Sequence, residues 1–274
     1  MSNTVEQYSL EIESEKYQAE IYIDTYYTKL LAYEGYKQEV MKSMADLPVS
    51  SSILDVGCGT GWFLSMLRDR KWHRLAGLDI SPDMLEIANA IVPEAILHEA
   101  PIQEYAESAE GGYEVITCLG TLHHMPDLDR VAQSLYMLLK PGGVMIVHEP
   151  NEEWFYEHST LLRGVMRTLY APLRIKNNRR VHDLRQPWKQ VPPSPHHEDV
   201  AIDYLLDVLQ KSGFVVETLQ FKNTLMRVFE GMLFRDSSFD RWLYRTVRWL
   251  DENIFDRFAG KSAGATLLRL RKHV

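Results

Sequence analysis

The stretch that decides the fold is Ile53-Leu54-Asp55-Val56-Gly57-Cys58-Gly59-Thr60-Gly61-Trp62-Phe63. Ile53 to Val56 reads as a short buried strand, and Trp62 to Arg70 reads as a helix. Between them lie three glycines spaced two apart. Glycines there permit positive φ and let a ligand approach the backbone closely. In an open parallel sheet such a loop sits at the carboxyl end of a strand, which is where ligands bind.

Outward from this loop, strand and helix patterns alternate. Strands are expected at Leu75–Ile80, Ala95–His98, Tyr113–Leu119 and Val144–His148, and helices at Pro82–Ile91 and Asp127–Leu139. Ser81 is placed to cap its helix, with Pro82 at the first position. Pro141-Gly142-Gly143 reads as the stop of the Asp127 helix. Upstream, Ala19–Met44 reads as a helix rich in tyrosine. Downstream come a helix at Asp199–Lys211, a strand at Phe214–Phe221, a helical stretch at Thr224–Phe258 and a last strand at Ala265–Leu270. Within the late helical stretch Phe239, Trp242, Leu243, Thr246, Val247, Leu250, Ile254 and Phe258 recur at three- and four-residue spacing, an amphipathic stripe. Alternation of this kind implies a parallel sheet covered on both faces.

Asp79 ends the second strand, 20 residues after Gly59. A carboxylate there can accept from both hydroxyls of a ribose. The glycine spacing is G-x-G-x-G with Asp55 beside it, not the G-x-G-x-x-G that cradles a pyrophosphate. An acid in that place repels a pyrophosphate and suits a cationic ligand.

Composition narrows the partners. The chain has 274 residues, 45% of them hydrophobic, and 30 basic against 38 acidic residues, a net charge of −8. That argues against general affinity for nucleic acid or an anionic membrane surface. No run of about 18 apolar residues is present to span a bilayer. Two cysteines, Cys58 and Cys118, make neither a disulfide framework nor a zinc site. With a polar, acidic N-terminus unlike a signal peptide, this reads as a cytoplasmic protein. No H-E-x-x-H or comparable metal motif occurs.

Several motifs in register resemble the class I (Rossmann-like) S-adenosylmethionine-dependent methyltransferases of small-molecule type. They are ILDVGCGTGWF (53–63), LDIS with Asp79, YEVITCLGTLHHMPD (113–127), LLKPGGVMIVHEP (138–150) and SGFVVETLQF (212–221). The expected fold is α/β, a doubly wound, mostly parallel seven-stranded sheet with an antiparallel last strand and helical lid insertions. Residues 1–45 would form a helical lid, 46–150 the cofactor-binding core and 151–196 a basic cap. Residues 197–274 would complete the core, with a helical insertion at 223–260.

The resemblance implies S-adenosyl-L-methionine as the cofactor and assigns roles by position. Asp55, Gly57, Cys58 and Gly59 would hold the methionine end. Asp79 would take the ribose, with Ile80 and Met84 near the adenine. Glu99 would accept from the adenine amino group and the Ala100 N–H would donate to the ring. Leu119 would form the floor, and Tyr27 of the first helix would reach the cofactor. His124 is the first candidate for a base or orienting group, and Glu149 the second. His123 is more readily a structural cap. Of the neighbours His148 and Glu149, only one is expected to reach the pocket. His196-His197-Glu198 reads as helix-start chemistry with substrate contact as the alternative.

Methyl transfer is mostly a matter of placing a nucleophile in line, and needs no metal. The acceptor is expected to be a small molecule, attacked at O, N or C. Between residues 160 and 190 stand eight basic residues and one acid, a region for an anionic substrate group or a solvated face. The late aromatic stripe is either a pocket wall or a homodimer face. The competing readings are a same-fold enzyme that uses the cofactor without net methyl transfer, such as a natural-product cyclase, an NAD-dependent oxidoreductase, and a non-catalytic binding protein.

Overall fold

The computed structural model describes residues 31–109, 112–151, 154, 160, 201–226 and 238–273. Seven strands form one sheet: β1 (Ile53–Val56), β2 (Leu75–Asp79), β3 (Ile96–Glu99), β4 (Tyr113–Leu119), β5 (Leu139–Pro150), β6 (Phe214–Lys222) and β7 (Ala265–Lys272). Their order is β3-β2-β1-β4-β5-β7-β6. The first five pair in parallel, while β7 runs antiparallel to both β5 and β6. Strand order reverses between β1 and β4, so the loops after these two strands part and leave a crevice.

Side chains alternate across the sheet and feed two cores. Leu54, Val56, Ile116, Cys118, Met145, Val147, Leu268 and Leu270 pack on one face. Helices α4 (Ile102–Ser108), α5 (Leu128–Leu138) and α6 (Ile202–Lys211) cover that face through Ile102, Val131, Leu135, Leu205 and Leu209. Ile53, Val115, Val144, Ile146 and Leu267 pack on the other. There α1 (Leu31–Ser43), α2 (Trp62–Asp69) and α3 (Pro82–Ile91) supply Val40, Phe63, Leu64, Leu67 and Leu85, and the turn after α1 adds Met44. The period of two along each strand is what makes the sheet two-sided.

Local chemistry sets the helix starts. The Ser81 side chain accepts from the Met84 N–H at 3.4 Å, with Pro82 at the first position. Asp127, at φ 58°, accepts from the Arg130 N–H to start α5. Arg269 on β7 makes a bidentate bond to Asp46 (2.6 and 2.7 Å), another to Glu217 (2.7 Å) and one to the Ser43 carbonyl (2.5 Å). The end of α1 is thereby tied to the antiparallel strand pair.

Three elements differ from the sequence expectation. The helix α4 is additional; it is seven residues long, too short for a 3.6-residue stripe to stand out. Strand β5 begins at Leu139, not Val144. Leu139 pairs with Tyr113, an irregularity follows, and pairing resumes at Val144. Pro141 lacks an N–H and Gly142 takes φ 74°, so the Pro-Gly-Gly run breaks the ladder's regularity and the strand passes through it. The late helical stretch does not begin at Thr224. Asn223 has φ 59° and residues 224–225 form a turn. Helix α7 (Ser238–Leu250) follows, then a π-helical turn (Asp251–Phe255) and the short α8 (Asp256–Ala259). Asp251 accepts from the Leu225 and Met226 N–H groups, both at 2.7 Å. That bond ties the turn to the π-helical segment. Among the described residues no helix is long and apolar enough to cross a membrane.

Candidate functional site

The loop after β1 is stitched to the end of β2. The Gly57 and Cys58 N–H groups both donate to the Leu78 carbonyl, at 2.8 and 3.1 Å. The Gly59 N–H donates to Asp79 Oδ2 at 2.7 Å, and the Ser81 N–H to Asp79 Oδ1 at 3.0 Å. Two glycines serve opposite ends. A Cβ on Gly57 (φ 69°) would lie 2.0 Å from Thr121 Oγ1, so this glycine lets the β1 and β4 loops touch. A Cβ on Gly59 (φ 50°) would meet nothing within 4 Å. Gly59 faces open space, a cradle that any side chain would fill.

That space is a cleft of about 850 Å³ including its mouth. Its walls bring together Gly57, Cys58, Gly59, Asp79, Ile80, Met84, Ala100, Leu119 and His124, all named from the sequence. Residues that the sequence did not single out complete it: Val56, Thr60, Trp62, Leu78, Ile102, Gly120, Thr121 and Met125. Trp62 was visible next to the glycine loop. Gly120, at φ 69° with nothing near its missing Cβ, repeats at the end of β4 the signal of Gly59. The Ile102 contact came with the unexpected helix α4.

Three expected residues stand off the wall. Asp55 lies behind the glycine loop, buried, accepting from Thr117 Oγ1 at 2.6 Å. Its reach to a ligand is through charge, not contact. Burial pushes its carboxyl up to about 7; the Thr117 bond pulls it down and the charge of Asp79 adds to the rise. Glu99 ends the edge strand β3 with an exposed side chain and does not line the cleft. The Ala100 N–H expected to meet a ligand instead donates to the Asp79 carbonyl at 3.1 Å, so Ala100 offers the cleft only its apolar side.

Glu149 is also off the wall, buried at 2% exposure. Its Oε1 accepts from the Thr121 and Leu122 N–H groups at 3.0 and 2.8 Å, and Oε2 lies 2.6 Å from His123 Nδ1. Burial acts to raise its carboxyl. The bond and charge of His123 and the two backbone N–H groups outweigh this and hold it below the usual range. The structure thus places the candidate catalytic Glu149 behind the cleft wall, bonded to the loop after β4 and to His123. His148 does not reach the cleft either. Its ring packs 4.2 Å from Tyr36 of α1, and Tyr36 lies 5.6 Å from Trp62 on the wall. Tyr27, His196-His197-Glu198 and the basic segment 160–190 are outside the described residues, apart from residue 160.

Asp79 remains the acid on the cleft wall. Burial raises its carboxyl, and N–H groups of Ser81, Gly59 and Ile80 oppose that. An anionic pyrophosphate would meet two buried acids here. Hydroxyl and ammonium donors would relieve them. Ile80, Met84, Ala100 and Ile102 give the flank beside Asp79 an apolar wall that suits a flat base. The residues fit a nucleoside with a cationic tail.

A sequence profile described as a methyltransferase domain matches residues 27–219. This chain belongs to the methyltransferase-domain family. The chain is 34% identical over 96 residues to the ubiquinone biosynthesis O-methyltransferase of Sodalis glossinidius, covering 34% of this chain and 38% of that one. It is 36% identical over 114 residues to the dTDP-4-amino-2,3,4,6-tetradeoxy-D-glucose N,N-dimethyltransferase of Saccharopolyspora spinosa, covering 40% and 43%. The chain thus spans less than half the length of these curated relatives. Among solved structures it resembles an S-adenosylmethionine-dependent methyltransferase from Mesorhizobium loti (TM-score 0.53, 16% identity, 88% of this chain and 98% of that one). It also resembles the [4+2]-cyclase SpnF (TM-score 0.55, 15% identity, 88% and 81%). At these identities the structures show the shared Rossmann-like fold alone.

Proposed function

We propose that the protein transfers the methyl group of S-adenosyl-L-methionine to an oxygen, nitrogen or carbon of a small-molecule metabolite, without a metal. One observation carries this reading: the bare cradle at Gly59, bounded by the Asp79 carboxylate at the switch point, in a chain of the methyltransferase family. Asp79 would accept from the ribose hydroxyls, Gly59 would admit the ligand to the backbone, and Leu119 would support it from the end of β4. When bound, the sulfonium supplies an activated methyl with its own leaving group. His124, on the wall at the end of β4, would orient the acceptor or take its proton. The relatives named for O- and N,N-dimethyl transfer favour this reading over the cyclase alternative.

The finer calls extend the proposal. Residues 1–45, 151–196 and 223–260 would act as lids over the core. The basic residues between 160 and 190 would receive an anionic group on the substrate. Phe239, Trp242 and Trp249, each 59% exposed on α7, would form a homodimer face, which light scattering of the purified chain would test. The central test is isothermal titration with S-adenosylmethionine, S-adenosylhomocysteine and NADH. Binding of the first two supports the reading. Binding of NADH with no binding of S-adenosylmethionine would overturn it.

A further inference from the structure

The loop after β4 carries two histidines side by side, and only His124 reaches the cleft wall. His123 lies one layer back, 11% exposed, between the Glu149 carboxylate and the His124 ring. The two imidazoles are 3.9 Å apart between centroids, tilted by 42°. Glu149 makes three bonds within this loop: two to the backbone of Thr121 and Leu122, one to His123 Nδ1. An ionised carboxylate can only accept. Nδ1 of His123 therefore carries a proton, and the Nε2–H, Nδ1-bare tautomer is excluded while the pair is intact.

We propose that Glu149 and His123 are a positioning pair for the acceptor end of the cleft. Glu149 locks the tautomer and ring plane of His123, and His123 in turn holds the plane of the His124 ring towards the cleft. The proposal rests on the methyl-transfer reading and adds to it the group that orients the candidate base. A histidine that must meet an acceptor needs one nitrogen at a fixed angle, and rotation about a free χ2 would spoil it. On β4 the neighbouring titratable group is Cys118, whose thiol is pushed up by burial and then by the charges of Glu149 and Asp55. It stays a neutral neighbour and does not compete for the proton.

The experiment is long-range ¹H–¹⁵N correlation of the imidazoles in the full-length wild type, Glu149→Gln and His123→Gln, with S-adenosylhomocysteine titrated into each. In the wild type His123 should show a protonated Nδ1 from pH 6 to 8. Glu149→Gln should move His123 towards the Nε2–H form that a free imidazole favours, and should displace the His124 ring signals. His123→Gln should displace the His124 signals too. Affinity for S-adenosylhomocysteine should stay within threefold in both variants. A wild-type His123 in the Nε2–H form, or His124 signals unmoved in both variants, would overturn the proposal. If Glu149→Gln fails to fold, the wild-type tautomer and the His123→Gln spectrum decide it. No binding of S-adenosylhomocysteine to the wild type would instead overturn the cofactor reading and leave the tautomer result standing.

Discussion

The two halves of the cleft are built in different ways. The half at the ends of β1 and β2 is built on backbone: a glycine loop, and an aspartate 20 residues on whose two oxygens are held by the Gly59 and Ser81 N–H groups. The half at the ends of β4 and β5 is made of side chains brought from afar. Glu149 bonds residues 26 to 28 positions away, and Tyr36 of α1 packs on His148. The first half presents backbone and an acid to a ligand common to many enzymes. The second presents His124 and apolar groups, with His123 and His148 packed behind them. The contrast implies that damage to the first half should be read in cofactor affinity, and damage to the second in folding and in acceptor chemistry.

The largest effect should come from Glu149→Ala. It leaves two buried N–H groups and His123 without their acceptor, a loss of about 3–5 kcal/mol by analogy with broken buried pairs. Urea unfolding checks this, and a change below about 1 kcal/mol would mean that Glu149 is not what holds the loop. Gly57→Ala should follow. The added carbon meets Thr121 at the contact between the two halves, in a backbone region that disfavours Cβ. Overpacking and left-handed strain together cost about 2–4 kcal/mol. Gly59→Ala makes the sharpest contrast with it. Nothing in the protein obstructs its Cβ, so it should cost only about 1 kcal/mol of stability while weakening S-adenosylmethionine binding at least tenfold. Asp79→Ala should also weaken that binding by at least tenfold, roughly 1.4 kcal/mol for loss of charge-assisted bonds. Unchanged affinity would remove the ribose assignment.

The smallest effect is in pH, and its sign differs between the halves. Asp55, raised to about 7, contributes stability that is full below the unfolded aspartate range and lost as pH rises through 7. Glu149, lowered, contributes stability present above the ordinary glutamate value of 4.5 and lost as pH falls through its depressed value. Ligand-free protein should therefore melt lower at pH 8 than at pH 6, and a cationic ligand should restore much of the difference. S-adenosylmethionine affinity measured from pH 6 to 8 should rise, and Asp55→Asn should flatten the rise.

Legibility followed the same division. The strand and glycine loop are legible because they are contiguous, and Asp79 because it ends the next strand at a spacing of 20 residues from Gly59. Ser81 was readable as a cap for the same reason. The placement of Glu149 behind the wall is not legible, because its partners lie in another loop and nothing along β5 announces them. The helix α4 went unread because seven residues do not make a period. The passage of β5 through Pro141-Gly142-Gly143 was unread because those residues are ordinary helix-stop signals, and only pairing with Tyr113 starts the strand earlier.

Hydrophobic period and glycine spacing act over a few residues, so the chain itself sets out the seven strands in order and the glycine loop with Asp79 at the ends of β1 and β2. Which acids line the cleft was left to tertiary packing. Asp55 and Glu149 are withdrawn behind the wall by bonds to Thr117, Thr121, Leu122 and His123, while Asp79 keeps its place on it. A buried carboxylate goes where its donors are, and those donors come from other parts of the chain.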